Sequence, residues 1–249
     1  MRTTASTGKA VAIRGTAAIA ERFWSPKSVR DTDDMYRRLI VIDSVLASIG
    51  VQQHGNPQKM AARLVPDHPD VIMTFVGAVK PTTFFAHAHA NQHFNELADI
   101  ASPDALPAIQ LELDVKQFLE GGATDPQLKA RISTQLKSWR DNHEAFASLA
   151  SRSPIIASAV SRSQDLHDLS EAGLRALELI ANHEQANAEW LAKQNELVAR
   201  QVAYDNATKD GAAVRTYPQP AADLLLAVHP AIKLLLDKAA EISPPTQGE

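Results

Sequence analysis

A chain of 249 residues that is 45% hydrophobic and 22% charged has enough apolar side chain to bury a substantial core, which excludes wholesale disorder. Its formal charge of -4, with 25 Lys and Arg scattered along it, leaves no basic footprint for a phosphate backbone, so no nucleic-acid partner is expected. The absence of cysteine rules out disulfides and thiolate metal sites.

At the start, Arg2 and Lys9 precede the apolar run "AVAI", but Arg14 interrupts it before a signal core forms, and no cleaved signal is expected. Asp31 to Ile49 predicts a helix, because Met35, Leu39, Ile42, Leu46 and Ile49 recur at alternating spacings of four and three. Asp31 or Thr32 caps it, Asp33 and Asp34 suit the positive end of its dipole, and Gly50 follows its end. Asn56-Pro57 starts a short helix to about Leu64, and Asp67 begins another, with Pro69 in its first turn. Lys80 to Gln92, "KPTTFFAHAHANQ", shows no clean period and reads as a loop entering a helix near Asn91. Pro103 and Pro107 open a helix that runs to about Glu120 and ends at Gly121-Gly122. Asp125-Pro126 starts the next, whose apolar face is Leu128, Ile132, Leu136, Trp139, His143, Phe146 and Leu149, with Ser153-Pro154 breaking the pattern.

From Leu174 to Asp210 there is neither Gly nor Pro, and the apolar positions allow one helix of some 40 residues, roughly 60 Å long, unless the polar stretch "NHEQANAE" hides a break. Gly211 to Pro220 is a turn-rich connector. A last helix is expected from about Pro220 to Ile242, kinked at Pro230, before the frayed tail "SPPTQGE". Its segment "LLLAVHPAIKLLL" is far shorter than the roughly 20 residues of a membrane span and reads as core. No alternating run reads as a strand and no repeat stands out. The expected fold is therefore all-α: an elongated multi-helix bundle with one or more long helices and no complete (β/α)8 barrel, with subdivision possible near 121–126 and 211–220.

His87, His89 and His93, in "HAHANQH", invite a metal reading, since His89 and His93 would share a helix face. A third ligand and an orienting second layer are wanting, Glu96 being the nearest carboxylate in sequence, and polar surface contacts are the plainer reading. His143 lies on an apolar helix face, where a hydrogen-bonded interior histidine is the expectation. No "GxSxG" elbow, "GxGxxG" or phosphate loop occurs. No catalytic, cofactor-binding or metal-binding residue is assigned.

The stretch "TAAIAERFWSP", Thr16 to Pro26, with its continuation "KSVRDTDDMYRRLIVIDSVLASIGVQ", resembles the C-terminal part of family 20 glycoside hydrolases, the β-N-acetylhexosaminidases. In that family a similar "AERLWS" segment forms the last helix of the catalytic barrel and a "YRRL"-like helix follows, as Tyr36 to Leu39 does here. The later blocks "LKSWRDNHEAF" and "SEAGLRALELI" are similar to helices that some bacterial members carry after the barrel. The resemblance implies an N-terminal segment, 1–26, equivalent to the last barrel helix, and a helical region, 27–249. It also implies that the family's catalytic pair is missing: an Asp orients the substrate's acetamido group, an adjacent Glu acts as general acid and base, and no Asp-Glu dipeptide occurs in this chain. The Trp-Gly-Glu segment is absent too, and "KAVAIRG" stands where the family has a Trp-Pro-Arg lead-in. The chain thus looks like the end of such an enzyme without its beginning.

In the intact family the helix around Ala17 to Trp24 packs on a barrel, so here Ile19, Phe23 and Trp24 need another cover. The chain's own later helices, a second copy, or a separately encoded barrel each fit, while Glu21 and Arg22 hold the helix rather than touch a sugar. Three functional readings follow: a non-catalytic remnant or accessory portion of a β-N-acetylhexosaminidase, a helical interaction or oligomerisation module using residues 165–210, and an enzyme with a site between helices near His87, His89 and His93.

Overall fold

The structure is a computed structural model and describes residues 19–20, 23, 25–48, 55–81, 96–209 and 224–242. Over these residues the chain forms a multi-helix bundle with no barrel. In chain order the elements are α1 (Thr32–Ser48), α2 (Gly55–Leu64), α3 (Pro69–Val76), β1 (Val79–Pro81), α4 (Glu96–Ile100), α5 (Leu106–Glu120), α6 (Pro126–Ser148), a 3-10 turn (Leu149–Arg152), α7 (Pro154–Asn182), α8 (Ala188–Lys209), β2 (Leu224–Leu226) and α9 (His229–Ala240).

The local signals act where their chemistry places them. Asp31 Oδ1 accepts the Asp34 amide at 3.1 Å and so caps α1. Asp125 Oδ1 accepts the amides of Gln127 and Leu128 at 2.8 and 3.1 Å, with Pro126 in the first turn of α6. At the end of α5, Gly122 takes φ +72°, and the amides of Gly122 and Ala123 reach back to Leu119 and Phe118 carbonyls, closing the helix with a left-handed turn.

The core is built on the hairpin of α6 and α7, joined by the 3-10 turn. From α6, Leu128, Ile132, Leu136, Trp139 and Phe146 are buried, the face that periodicity predicts. Phe146 meets Phe75 of α3 with ring centroids 4.5 Å apart, in a tilted packing worth more than area alone. Helix α7 is buried around most of its circumference, because α6, α8, α9 and β2 all pack on it. Gly173 lets these neighbours close in: a Cβ there would lie 2.5 Å from Ile232 Cδ1 and 3.2 Å from Leu136 Cδ1.

Two expectations are corrected. The chain does contain strands: β1 and β2 pair antiparallel, with Val79 opposite Leu226 and Pro81 opposite Leu224. All of Leu224 to Leu226 is buried, and a strand covered on both faces is a continuous apolar run without alternation, so it reads as helix in sequence. The last helix starts at His229, so Pro230 sits in its first turn, where no amide is required, and does not kink it.

The break that the polar stretch "NHEQANAE" allows is present, and the segment is two helices. His183 adopts φ 55°, ψ 35°, the amides of His183 and Glu184 bond to the carbonyls of Ile180 and Leu179, and α7 ends. Asn187 then caps α8, its Oδ1 accepting the Trp190 amide at 2.9 Å. The surface of the interaction-module reading, residues 165–210, is therefore divided between α7 and α8 over its described part.

Candidate functional site

Ile19 and Phe23 are in helical conformation and are 57% and 83% exposed. Glu21, Arg22 and Trp24 lie outside the described residues. Helix α1 packs chiefly on α5, burying Leu39 while Met35, Ile42 and Leu46 stay half-covered. On its outer side Val41 and Val45, one turn apart, are 62% and 54% exposed.

Polar ties fix α1 in place. Lys116 Nζ sits 2.8 Å from Asp33 Oδ2, and the Tyr36 hydroxyl donates to Asp104 Oδ1 at 3.3 Å. Burial, then the neighbouring Asp104 carboxylate, push the Tyr36 phenol above its ordinary pKa. The hydrogen bond to Asp33 raises Lys116 against the opposing effect of burial. The described part of this stretch thus exposes Ile19, Phe23, Val41 and Val45, with α1 held in place by its polar ties.

The histidines contribute little chemistry. His87, His89 and His93 lie outside the described residues, as does the Glu96 side chain. His143 is half-buried on α6, with Nδ1 3.0 Å from Ser163 Oγ, the interior hydrogen-bonded role its helix face predicts. Its ring lies 5.7 Å from that of His167, whose Nδ1 is 3.0 Å from Asp168 Oδ1. Among the described residues no group of three His, Asp or Glu gathers as a metal site, and no helix is long and apolar enough to cross a membrane.

The densest polar chemistry lies between α7 and α8. Arg162 is 2% exposed; its Nη1 donates to Asp165 Oδ2 and its Nη2 to Gln201 Oε1, both at 2.8 Å. Arg200 reaches the other Asp165 oxygen at 2.5 Å, and the Arg162 guanidinium carbon lies 5.3 Å from the Tyr204 ring centroid. One turn on, Asp205 pairs with Lys80 of β1 at 2.8 Å, tying the small sheet to the same helix. Burial lowers the Arg162 pKa from its ordinary value, with Asp165 opposing the shift. Arg162 Nε and Gln201 Nε2 reach no acceptor among the described residues.

This clamp has a geometric consequence. In the second half of α8, Val198, Gln201 and Asp205 are buried, whereas none of residues 188–197 is fully covered. The two helices are locked at the clamp and joined at the His183 turn, and between these points they enclose an open groove of about 820 Å³, floored by Ala172 and Leu197. Trp190, half-buried, lines it from α8, facing Asp168, Glu171 and Arg175 of α7. Nothing in the spacing of Arg162 and Gln201, 39 residues apart, foretells that they meet.

No protein-family model matches the chain, and no curated protein matches it. Among solved structures it is similar to the Flavobacterium johnsoniae chitobiase FjGH20, at 20% identity with a TM-score of 0.68, over 93% of this chain and 33% of that one. The chain therefore spans about a third of the length of that protein. At this identity the likeness establishes a shared helical fold over the matched portion.

Proposed function

We propose that the chain is a non-catalytic helical portion of the β-N-acetylhexosaminidase kind, corresponding to the last barrel helix and the helical region that follows it, and that the exposed Ile19, Phe23, Val41 and Val45 dock on a catalytic barrel. The observation that carries this reading is the fold likeness to a chitobiase over 93% of the chain. The resemblance of "TAAIAERFWSP" to the last barrel helix of family 20 enzymes supports it independently. So do Ile19, Phe23, Val41 and Val45, large apolar side chains left exposed among the described residues.

The chemistry assigned to the chain is positional. The family's reaction needs a carboxylate pair within reach of one sugar ring, and no Asp-Glu dipeptide occurs in the 249 residues. A docked helical region stabilises a barrel by covering its apolar surface, and stabilisation by a bound partner scales with the partner's concentration relative to its Kd.

The test is hydrolysis of a chromogenic N-acetylglucosaminide by the purified chain at high concentration, beside an active hexosaminidase. The expected outcome is no release above the blank, together with co-elution of the chain with a purified family 20 barrel. Release that persists through further purification, and co-purifies with this chain, would overturn the non-catalytic reading. Failure to bind any such barrel would overturn the docking.

A further inference from the structure

We propose that the cavity between α1, α2, α3 and the start of α5 is a binding site for a small organic amine, a protonated ammonium group carried on an apolar body. The inference rests on the cavity's own walls and is independent of the hexosaminidase reading.

The cavity holds about 360 Å³, within the range of small-molecule sites. Most of its wall is apolar, with Ile40 of α1, Met73 and Val76 of α3, Ile100 of α4 and Leu106 of α5 contributing. Met73 is half-buried and unbranched, so it adjusts to the shape of a guest. These side chains suit the apolar body of a ligand.

The charged part of the wall has one sign. Asp43 and Asp104 line the cavity, and no Lys, Arg or His among the described residues does. The cations of the surrounding helices are engaged elsewhere: Lys116 with Asp33 and Glu112, Arg38 with Asp34, and Arg131 with Asp114, none of which lines the cavity. Arg37 of α1 is exposed and does not line it either. The N-terminus of α5 opens on the same space, but its dipole is worth only about half a positive charge against two carboxylates. An anion is therefore repelled, and a neutral guest would set both carboxylates against apolar surface.

Asp104 is the anchor. Its Oδ1 accepts from the Tyr36 hydroxyl at 3.3 Å, and it makes no other hydrogen bond or ion pair among the described residues, so Oδ2 is left to accept. Asp43 is only 9% exposed, so an opposite charge beside it counts for more than it would in water. Gln110 is tied through its Nε2, which donates to Asp114 at 2.8 Å, and its Oε1 remains an acceptor. An ammonium group has three protons to donate, matching these three side chains. A metal ion fits less well, because a hard divalent cation takes about six or more oxygens and no three His, Asp or Glu among the described residues gather to hold one.

The experiment titrates the full-length chain, at about pH 7 where the amine is charged, with phenethylamine and with phenethyl alcohol, which shares its ring and chain but carries no charge. The Met73 methyl signal is followed by NMR, and the spectrum of Met73→Leu identifies it. The expected result is a saturable shift with the amine, with Kd on the order of 1 mM, and binding of the alcohol weaker by at least about tenfold. Asp104→Asn and Asp43→Asn should each weaken the amine by at least about fivefold and leave the alcohol unaffected, both with unchanged helicity. Should Asp43→Asn unfold, Asp104→Asn and the comparison of the two probes on the unaltered chain decide the matter. No shift with the amine up to about 20 mM, equal affinity for amine and alcohol, affinity indifferent to Asp104→Asn, or the same shift produced by calcium ions would each overturn the proposal.

Discussion

The Arg162 guanidinium carries its charge into a helix interface, and its partners are unequally replaceable. Asp165 neutralises Arg162 and Arg200 together, so Asp165→Ala strands a buried cation, a change of the kind that costs about 3–5 kcal/mol. Arg162→Met removes the buried charge, keeps the apolar stem and leaves Asp165 paired with Arg200, so its cost should be about 1–2 kcal/mol. Urea unfolding of the two variants measures the asymmetry, and equal losses would contradict it. Tyr36 gives a pH prediction. Its folded-state pKa is raised by burial and by Asp104, so its stabilising contribution is complete below about pH 10 and is lost as pH rises through the folded value. Lys116, raised by its bond to Asp33, loses its contribution in the same direction. The urea midpoint should fall above about pH 10, and the fall should be shallower in Tyr36→Phe.

Among the elements, α6 and α7 show how a helix's ends and its packing are separable. Asp125→Ala removes the acceptor for two amides and should cost about 1 kcal/mol, read as a lower thermal midpoint with helicity unchanged below the transition. Gly173→Ala tests packing. Alanine favours a helix interior by about 1 kcal/mol, yet its Cβ would press on Ile232 and Leu136 in a filled core, where overpacking costs about 1–3 kcal/mol. The net effect should be a loss of about 1 kcal/mol, and a gain would mean that Ile232 yields freely. The ends of α1, α5 and α6 are legible in the sequence because Asp31, Gly121-Gly122 and Asp125-Pro126 act on backbone groups within a few residues. The end of α7 is legible only as the polar stretch "NHEQANAE", because His183 takes a left-handed conformation that glycine or asparagine would have announced.

For the whole molecule, the exposed apolar side chains Ile19, Phe23, Val41 and Val45 have the most to explain. Phe23 is 83% exposed, so Phe23→Ser should leave the thermal midpoint within about 1–2 °C while raising soluble yield and lowering self-association in sedimentation. Unfolding on that substitution would show instead that the face is covered within the chain. The clamp matters at this scale too, since Lys80 and Asp205 join the β1–β2 pair to the same helix that Arg162 holds.

The sequence by itself determined the helical class, most helix starts and the buried face of α6, because these depend on periodicity and on short-range caps. It also carried the resemblance to family 20 glycoside hydrolases, in residues 16–52 and in the later blocks "LKSWRDNHEAF" and "SEAGLRALELI". Only the tertiary structure decided that Leu224 to Leu226 is a strand, since a three-residue apolar run takes its partner from Val79 to Pro81, some 145 residues away, and has no period of its own. It likewise decided that Arg162 lies buried against Gln201 and that Trp190 stands over a groove. A charged residue on a helix reads as solvent-facing until a second helix covers it, and which helix does so is fixed by packing across the whole chain.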